Sequence, residues 1–109
     1  MKIDFSAMEE QMIPKFKGGE KETAARMFTD ANGKIMRGRL IPGASIGLHT
    51  HETSSEIVYI LSGRGRALYD GGSEELAPGD CHYCPKGHSH SLINDGMEDL
   101  CFFAVVPEQ

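Results

Sequence analysis

Short runs of alternating apolar and polar residues, separated by Gly and Pro turns, fill the chain after residue 22. Such runs recur every eight to twelve residues or so, which is typical of an all-β sandwich or barrel. The strongest hairpin signal is the pair Asn32-Gly33, which favours a tight turn between two strands. The predicted strands are 23–28, 34–41, 45–51, 56–61, 64–69, 73–77, 80–84, 88–93 and 100–106.

The one helical pattern lies near the start of the chain. Ser6 is placed to cap a helix, with Glu9 three residues later as in a capping box. Pro14 would end that helix within about two turns. We therefore predict an N-terminal arm over residues 1–22, which carries a short helix, and one barrel domain over residues 23–109.

Two histidines and a glutamate stand close together in the segment GLHTHETSSE, which ends at Glu56. On a helix His49 and His51 could not meet, because residues two apart do not face each other. On a strand they can, because alternate side chains share one face. Glu56 lies at an odd offset, but the polar run before it is a turn signal that would return it to the pair. The pattern predicts a strand, a bend and a second strand around one site.

Two longer patterns extend from these residues. The first is Gly43, five residues, His49, one, His51, four, Glu56, six and Gly63. The second is Gly79, five residues, Pro85, one, Gly87, two, His90, three and Asn94. The chain thus resembles the cupin superfamily, whose two motifs are Gly-x5-His-x-His-x(3,4)-Glu-x6-Gly and Gly-x5-Pro-x-Gly-x2-His-x3-Asn.

The resemblance implies a double-stranded β-helix, a small jelly-roll barrel with a metal ion in its mouth. In the family the ion is bound by three motif histidines and the motif glutamate, which in this chain are His49, His51, Glu56 and His90. Three neutral imidazoles and one carboxylate suit one divalent transition metal ion such as Fe, Mn, Ni, Cu or Zn. On an octahedral ion, these four ligands leave two positions for water or substrate.

Other polar residues have weaker claims to the site. His88 shares a strand face with His90 if the strand has begun by then, and it could carry protons near the open positions. The alternative is a partly exposed loop histidine. His82 is treated as structural. The candidates for substrate contact are Tyr59, Arg37, Arg39 and Phe103, although apolar-in alternation along 34–41 would place the arginines outside.

Composition narrows the class of function and the compartment. A net charge of −5 provides neither a basic surface for nucleic acid nor a polybasic segment for membranes. No segment is long and apolar enough to span a bilayer and the start lacks a signal-peptide pattern, so a cytoplasmic location is expected. Three cysteines fit a reducing compartment. Cys81 and Cys84 would point to opposite faces of a strand, which favours packing roles over a disulfide.

Two functions fit these patterns. The first is a metal-dependent enzyme of isomerase, lyase, decarboxylase or dioxygenase type, whose small chelating substrate would occupy the open metal positions. The second is a non-catalytic cupin module that binds a metal or small ligand.

A homodimer is also expected. The outer strand edges need cover, and the arm has more apolar residues than a short helix would bury on its own barrel. These residues are Ile3, Phe5, Met8, Met12, Ile13 and Phe16.

Overall fold

Ten β-strands make up almost all of the regular structure in a computed structural model that describes all 109 residues. The strands are β1 (Gln11–Pro14), β2 (Glu22–Asp30), β3 (Gly33–Leu40), β4 (Ser45–Thr50), β5 (Glu56–Ser62), β6 (Gly65–Tyr69), β7 (Gly72–Leu76), β8 (Cys81–Cys84), β9 (Ser89–Ile93) and β10 (Leu100–Pro107). Two short 3₁₀ turns lie at Phe5–Ala7 and Phe16–Gly18. No helix in the chain has the length and apolar character that a membrane crossing requires.

The strands form two antiparallel sheets that enclose one core. Six strands lie in the order β1-β2-β3-β10-β5-β8, and four lie in the order β4-β9-β6-β7. Neighbours in each sheet are often distant in sequence, as where β4 pairs with β9 and β5 pairs with β8. This arrangement confirms the predicted all-β jelly-roll barrel, and it brings the two sequence motifs together.

The core is filled by the inward residues of both sheets, as the alternation along β3 illustrates. Met36, Gly38 and Leu40 are buried, and each alternates with a residue that faces outward. A Cβ atom at Gly38 would lie 2.3 Å from the Phe102 ring, which is fully buried. Glycine at this position therefore makes room for the largest side chain of the core.

The predicted hairpin between β2 and β3 is present, with a shifted turn. Asp30 pairs with Gly33, so the two-residue loop consists of Ala31 and Asn32 rather than Asn32 and Gly33. Gly33 has a φ of +140°, and a Cβ there would lie 2.1 Å from the Val106 carbonyl oxygen. The glycine therefore serves the close approach of β10 as well as the turn.

The N-terminal arm differs from the predicted helix. Asp4, not Ser6, caps the first 3₁₀ turn, where its carboxylate accepts from the Ser6 N–H at 3.1 Å. This helical segment ends at Ala7, after a single turn. The chain then extends as β1, whose backbone hydrogen-bonds to β2. Ile13 and Phe16 pack against the core. The helix prediction was wrong because an open sheet edge satisfies this backbone; the domain division at residue 22 stays a prediction.

The candidates for substrate contact lie on the outer face of the six-stranded sheet. Arg39 forms an ion pair with Glu10 of the arm at 2.7 Å. The hydrogen bond with Glu10 raises the pKa of Arg39, and the same bond lowers the pKa of Glu10. Arg37, Tyr59 and Phe103 occupy paired positions on the same outer face. Arg39 thus fastens the arm to the barrel, and none of these residues lines the cavity beside His49, His51 and Glu56.

Candidate metal centre

A bulge in β4 aims His49 into the barrel. The three steps from Ile46 to His49 are matched by only two steps on β9. The extra residue changes the parity of the strand, so Ile46 and His49 both face inward while Leu48 is 64% exposed. A Cβ at Gly47 would lie 2.1 Å from the Lys17 carbonyl oxygen, so the bulge needs glycine there.

The bend over residues 52–55 returns Glu56 to the two histidines. Glu56 Oε1 lies 3.0 Å from His51 Nε2 and 3.9 Å from His49 Nε2. Ser54 in the bend also contacts His51 Nδ1 at 2.8 Å through its hydroxyl, so the bend fixes the ring as well as the chain direction. The structure has the predicted strand, bend and second strand, while Ser54 is a contact that sequence reasoning missed.

His90 joins the group from β9, whose pairing with β4 places it opposite His49. His90 Nε2 lies 2.9 Å from Glu56 Oε1 and 2.9 Å from His51 Nε2. One ligand atom from each of the four residues lies within 4.8 Å of the other three. The fold therefore gathers in one place the four residues that the motifs indicated.

The hydrogen bonds of the rings suit a metal ion. The Gly47 carbonyl can only accept, so His49 Nδ1 donates to it at 2.7 Å and leaves a lone pair on Nε2. His51 Nδ1 lies within hydrogen-bond distance of the Ser54 hydroxyl, and His90 Nδ1 lies within hydrogen-bond distance of His82 Nε2. When these two Nδ1 atoms donate as well, all three Nε2 atoms converge as acceptors beside a carboxylate oxygen, an arrangement that a shared cation stabilises. This donor set fits one divalent transition ion.

Burial and charge set the protonation states that metal binding needs. Burial by itself raises the pKa of Glu56, but its polar contacts with the three histidines outweigh burial and hold the pKa well below its usual range. Burial lowers the pKa of His90, and Glu56 opposes that change only in part. A charged carboxylate beside a neutral imidazole is the state from which an ion is bound without first displacing protons.

A cavity of about 300 Å³ opens onto one side of the cluster. His49, His51 and Glu56 line it, whereas His90 is 3% exposed and lies on the far side of the group. The charged residues that share the lining are Lys17, Lys34, Glu52 and Glu108. A small molecule could therefore reach a bound ion from the cavity, past His49 and His51.

His82 lies behind His90, on the side away from the cavity. Its Nε2 is 3.0 Å from His90 Nδ1, and its Nδ1 hydrogen-bonds to the Glu74 carboxylate. Sequence reasoning gave His82 only a structural role. The alternation of β8 was a signal that His82 faces inward, since His82 and Cys84 are buried while Cys81 and Tyr83 are exposed.

His88 sits just before β9 and is turned towards the surface. Its Nδ1 lies 2.8 Å from the Asp70 carboxylate, and its ring stacks on Tyr69 at 5.8 Å. Its side-chain hydrogen bonds are with these residues rather than with the four-residue cluster. The proton-carrying role predicted for His88 stays a prediction.

The cysteines are free and occupy the faces that strand alternation predicts. Cys81 is exposed and Cys84 is buried, on opposite sides of β8. Burial raises the pKa of Cys84 to about 11, and the charge of Glu56 acts in the same direction. Cys84 is therefore a neutral thiol that packs beside the cluster.

Comparisons with known proteins agree with this geometry. A cupin-domain family model matches residues 36–106. The oxalate-binding protein of Thermotoga maritima is 34% identical over 97% of this chain and 93% of its own. The crystal structure of a predicted oxalate decarboxylase from Thermotoga maritima is 32% identical, covers 100% of both chains and superposes with a TM-score of 0.93. A sugar phosphate isomerase from Silicibacter pomeroyi shares the fold at 22% identity, with a TM-score of 0.81 over 100% of this chain and 76% of that one. The chain belongs to the cupin family.

Proposed function

We propose that this cupin binds one divalent transition metal ion and, through it, a small chelating dicarboxylate of the oxalate type. The proposed ligands of the ion are His49, His51, Glu56 and His90. The observation that carries the proposal is the convergence of three Nε2 atoms and one carboxylate oxygen beside a cavity. The relative named as an oxalate-binding protein supports the choice of ligand. A bound ion would supply a Lewis-acid centre for two oxygen atoms of one small acid.

The cavity's charges indicate how such an anion would be held. Lys17 and Lys34 line the cavity, but Glu52 and Glu108 line it too and offset their charge. The walls alone are therefore a weak anion site, and the main attraction must come from the ion. The lysines then orient the outer carboxylate oxygens and favour an anion over a neutral chelator.

Binding without turnover is the function that the geometry supports best. The imidazoles that line the cavity, His49 and His51, are proposed metal ligands, so neither is free to move a proton. The second candidate is decarboxylation, which the name of the solved Thermotoga maritima relative favours. Assays for carbon dioxide and formate, run on metal-loaded protein with oxalate, separate the two, because binding alone releases neither product.

Oxalate is expected to bind the metal-loaded protein and not the metal-free protein. Titration calorimetry with oxalate, succinate and acetate tests the chelate, since oxalate closes the smallest ring and acetate offers one carboxylate. Lys34→Gln should weaken oxalate binding by about three- to tenfold, up to about 1.4 kcal/mol. Lys86→Gln is the matched control, because Lys86 donates to the Gln109 carbonyl outside the cavity. Equal oxalate affinity with and without metal would contradict the proposal.

We also propose that two copies associate through the outer face of the six-stranded sheet. In the structure Ile13 and Phe16 already pack on their own barrel, so they are less available for contact with a second copy. Apolar side chains on β5 and β8 are more exposed, and contiguous exposed apolar surface marks interaction sites. These residues are Ile57, Tyr59, Leu61 and Tyr83, with exposed fractions of 38%, 43%, 39% and 53%.

Light scattering at micromolar concentration should give the mass of two chains for the natural protein. Tyr59→Glu places a charge in the middle of the apolar face and is expected to give a monomer. Met97→Glu changes an apolar residue that is 96% exposed in a loop, and it should stay dimeric. A monomeric natural protein would refute the homodimer.

A further inference from the structure

We infer that Glu74 and His82 form a hydrogen-bonded chain that positions His90 and strengthens it as a metal ligand. The inference rests on the proposed metal site, but it concerns two residues outside that site. Neither residue lines the cavity, so neither would contact a bound acid. Their hydrogen bonds reach the proposed ligands only through His90.

The three side chains come from three strands and two sheets. Glu74 lies on β7 and His90 on β9 of the four-stranded sheet, while His82 lies on β8 of the six-stranded sheet. The rings of His82 and His90 stack with 20° between their planes and 5.2 Å between centroids. His82 is 1% exposed, whereas the Glu74 side chain is 49% exposed. The chain thus runs from the protein surface, across the gap between the sheets, to the four-residue cluster.

One arrangement of protons satisfies both hydrogen bonds of this chain with neutral rings. A Glu74 carboxylate can only accept, so His82 Nδ1 donates to it. His82 Nε2 then carries a lone pair, which accepts from the N–H of His90 Nδ1 at 3.0 Å. His90 is left with its lone pair on Nε2, the atom that belongs to the cluster. A carboxylate at the surface therefore selects the tautomer of the buried ligand His90 through two successive hydrogen bonds.

The same contacts affect the strength of the ligand. A metal-bound histidine whose other N–H donates to a partner is fixed in orientation and becomes more basic, and loss of the partner typically weakens metal affinity about 10- to 100-fold. Here the partner is a second imidazole that is itself polarised by a negative charge. In the interior, such linked hydrogen bonds reinforce one another. Glu74 and His82 are therefore positioning residues for His90.

Metal affinity measured by titration calorimetry with Zn²⁺ and Mn²⁺ tests the chain. Glu74→Gln keeps the shape and removes the charge, and it should weaken binding about tenfold. His82→Leu removes the acceptor for His90 and should weaken binding about 100-fold. His82→Gln offers an amide oxygen as a replacement acceptor and should lie between these values. Glu75→Gln, on the same strand without a histidine contact, should match the natural protein.

Nitrogen-15 NMR of the histidine rings in metal-free protein provides a readout that a packing role would not affect. The natural protein and Glu75→Gln should hold His90 with its proton on Nδ1, and His82→Leu should lose that preference. If His82→Leu does not fold, Glu74→Gln decides, because the Glu74 side chain is half exposed and its replacement disturbs the core little. Equal metal affinity of Glu74→Gln and Glu75→Gln would overturn the inference. A protein that binds no metal would refute the proposed function, while the tautomer of His90 would still decide the inference.

Discussion

Replacing His51 and His90 together by alanine is expected to abolish stoichiometric metal binding. The double variant removes two of four proposed ligands, and these two come from different motifs and face each other at 2.9 Å. Four-ligand zinc sites contribute roughly 10–16 kcal/mol, so two ligands of equal worth account for about 5–8 kcal/mol, or at least about 10³-fold in affinity. Elemental analysis after dialysis and titration calorimetry measure the loss.

His88→Ala is the matched control for that variant. It also removes an imidazole next to β9, but one that pairs with Asp70 at 2.8 Å instead of joining the cluster. Its metal content should equal that of the natural protein, at one ion per chain. Circular dichroism of both variants checks that the barrel still forms. If the double variant keeps one equivalent of metal, the assignment of the ligands is incorrect.

Nine of the ten strands were predictable, because each of them has a local signal. Alternation along β3 and β5 and the Gly and Pro breaks between strands gave boundaries within one or two residues of those observed. β1 was missed because it is only four residues long, includes Pro14 and has a partner, β2, on one side only. Proline is tolerated at such an edge, so a residue that stops a helix does not exclude a strand. Pairing with a distant strand decided this segment, and a local pattern does not contain that information.

The four clustered residues were predictable for a different reason. Motif spacing indicated them, and strand geometry correctly placed His49 and His51 on one face. The bulge at Gly47 was not predictable from alternation, because a bulge shifts the parity of all that follows. The spacing of residues in the motif already includes the extra residue of the bulge, whereas the alternation of an ideal strand takes no account of it.

The contact between Glu74 and His82 lay beyond sequence reasoning. The two residues are on β7 and β8, which belong to different sheets, so no pairing register relates them. Alternation alone could show that His82 faces inward. It could not show that the imidazole lies between a ligand histidine and a surface carboxylate. That result depends on how closely the edges of the two sheets approach each other.

Metal binding is expected to stabilise the barrel strongly near pH 7.5 and hardly at all near pH 5. An ion present at 1,000 times its dissociation constant adds about 4 kcal/mol, which is roughly 15–25 °C in thermal midpoint for a domain of this size. Protons compete for imidazoles below a pKa of about 6.5, so three histidine ligands should weaken binding roughly 10³- to 10⁴-fold by pH 5. Thermal unfolding of metal-saturated and chelator-treated protein across this range measures the difference.

The metal-free barrel should lose stability over the same range, for a separate reason. Burial lowers the pKa of His90 in the folded chain, so the unfolded chain binds more protons as the pH falls below the ordinary imidazole pKa. Acid therefore destabilises the folded chain. The stability of the barrel with neutral His90 is fully present above the ordinary imidazole pKa and is lost as the pH falls below it. The chelator-treated natural protein shows this second effect alone, whereas the His51→Ala, His90→Ala double variant lacks both of those ligands and should show no metal-dependent difference at either pH. A metal-dependent difference in the natural protein that is equally large at pH 7.5 and pH 5 would mean that histidines do not hold the ion, since carboxylate and carbonyl ligands bind no additional protons in this range.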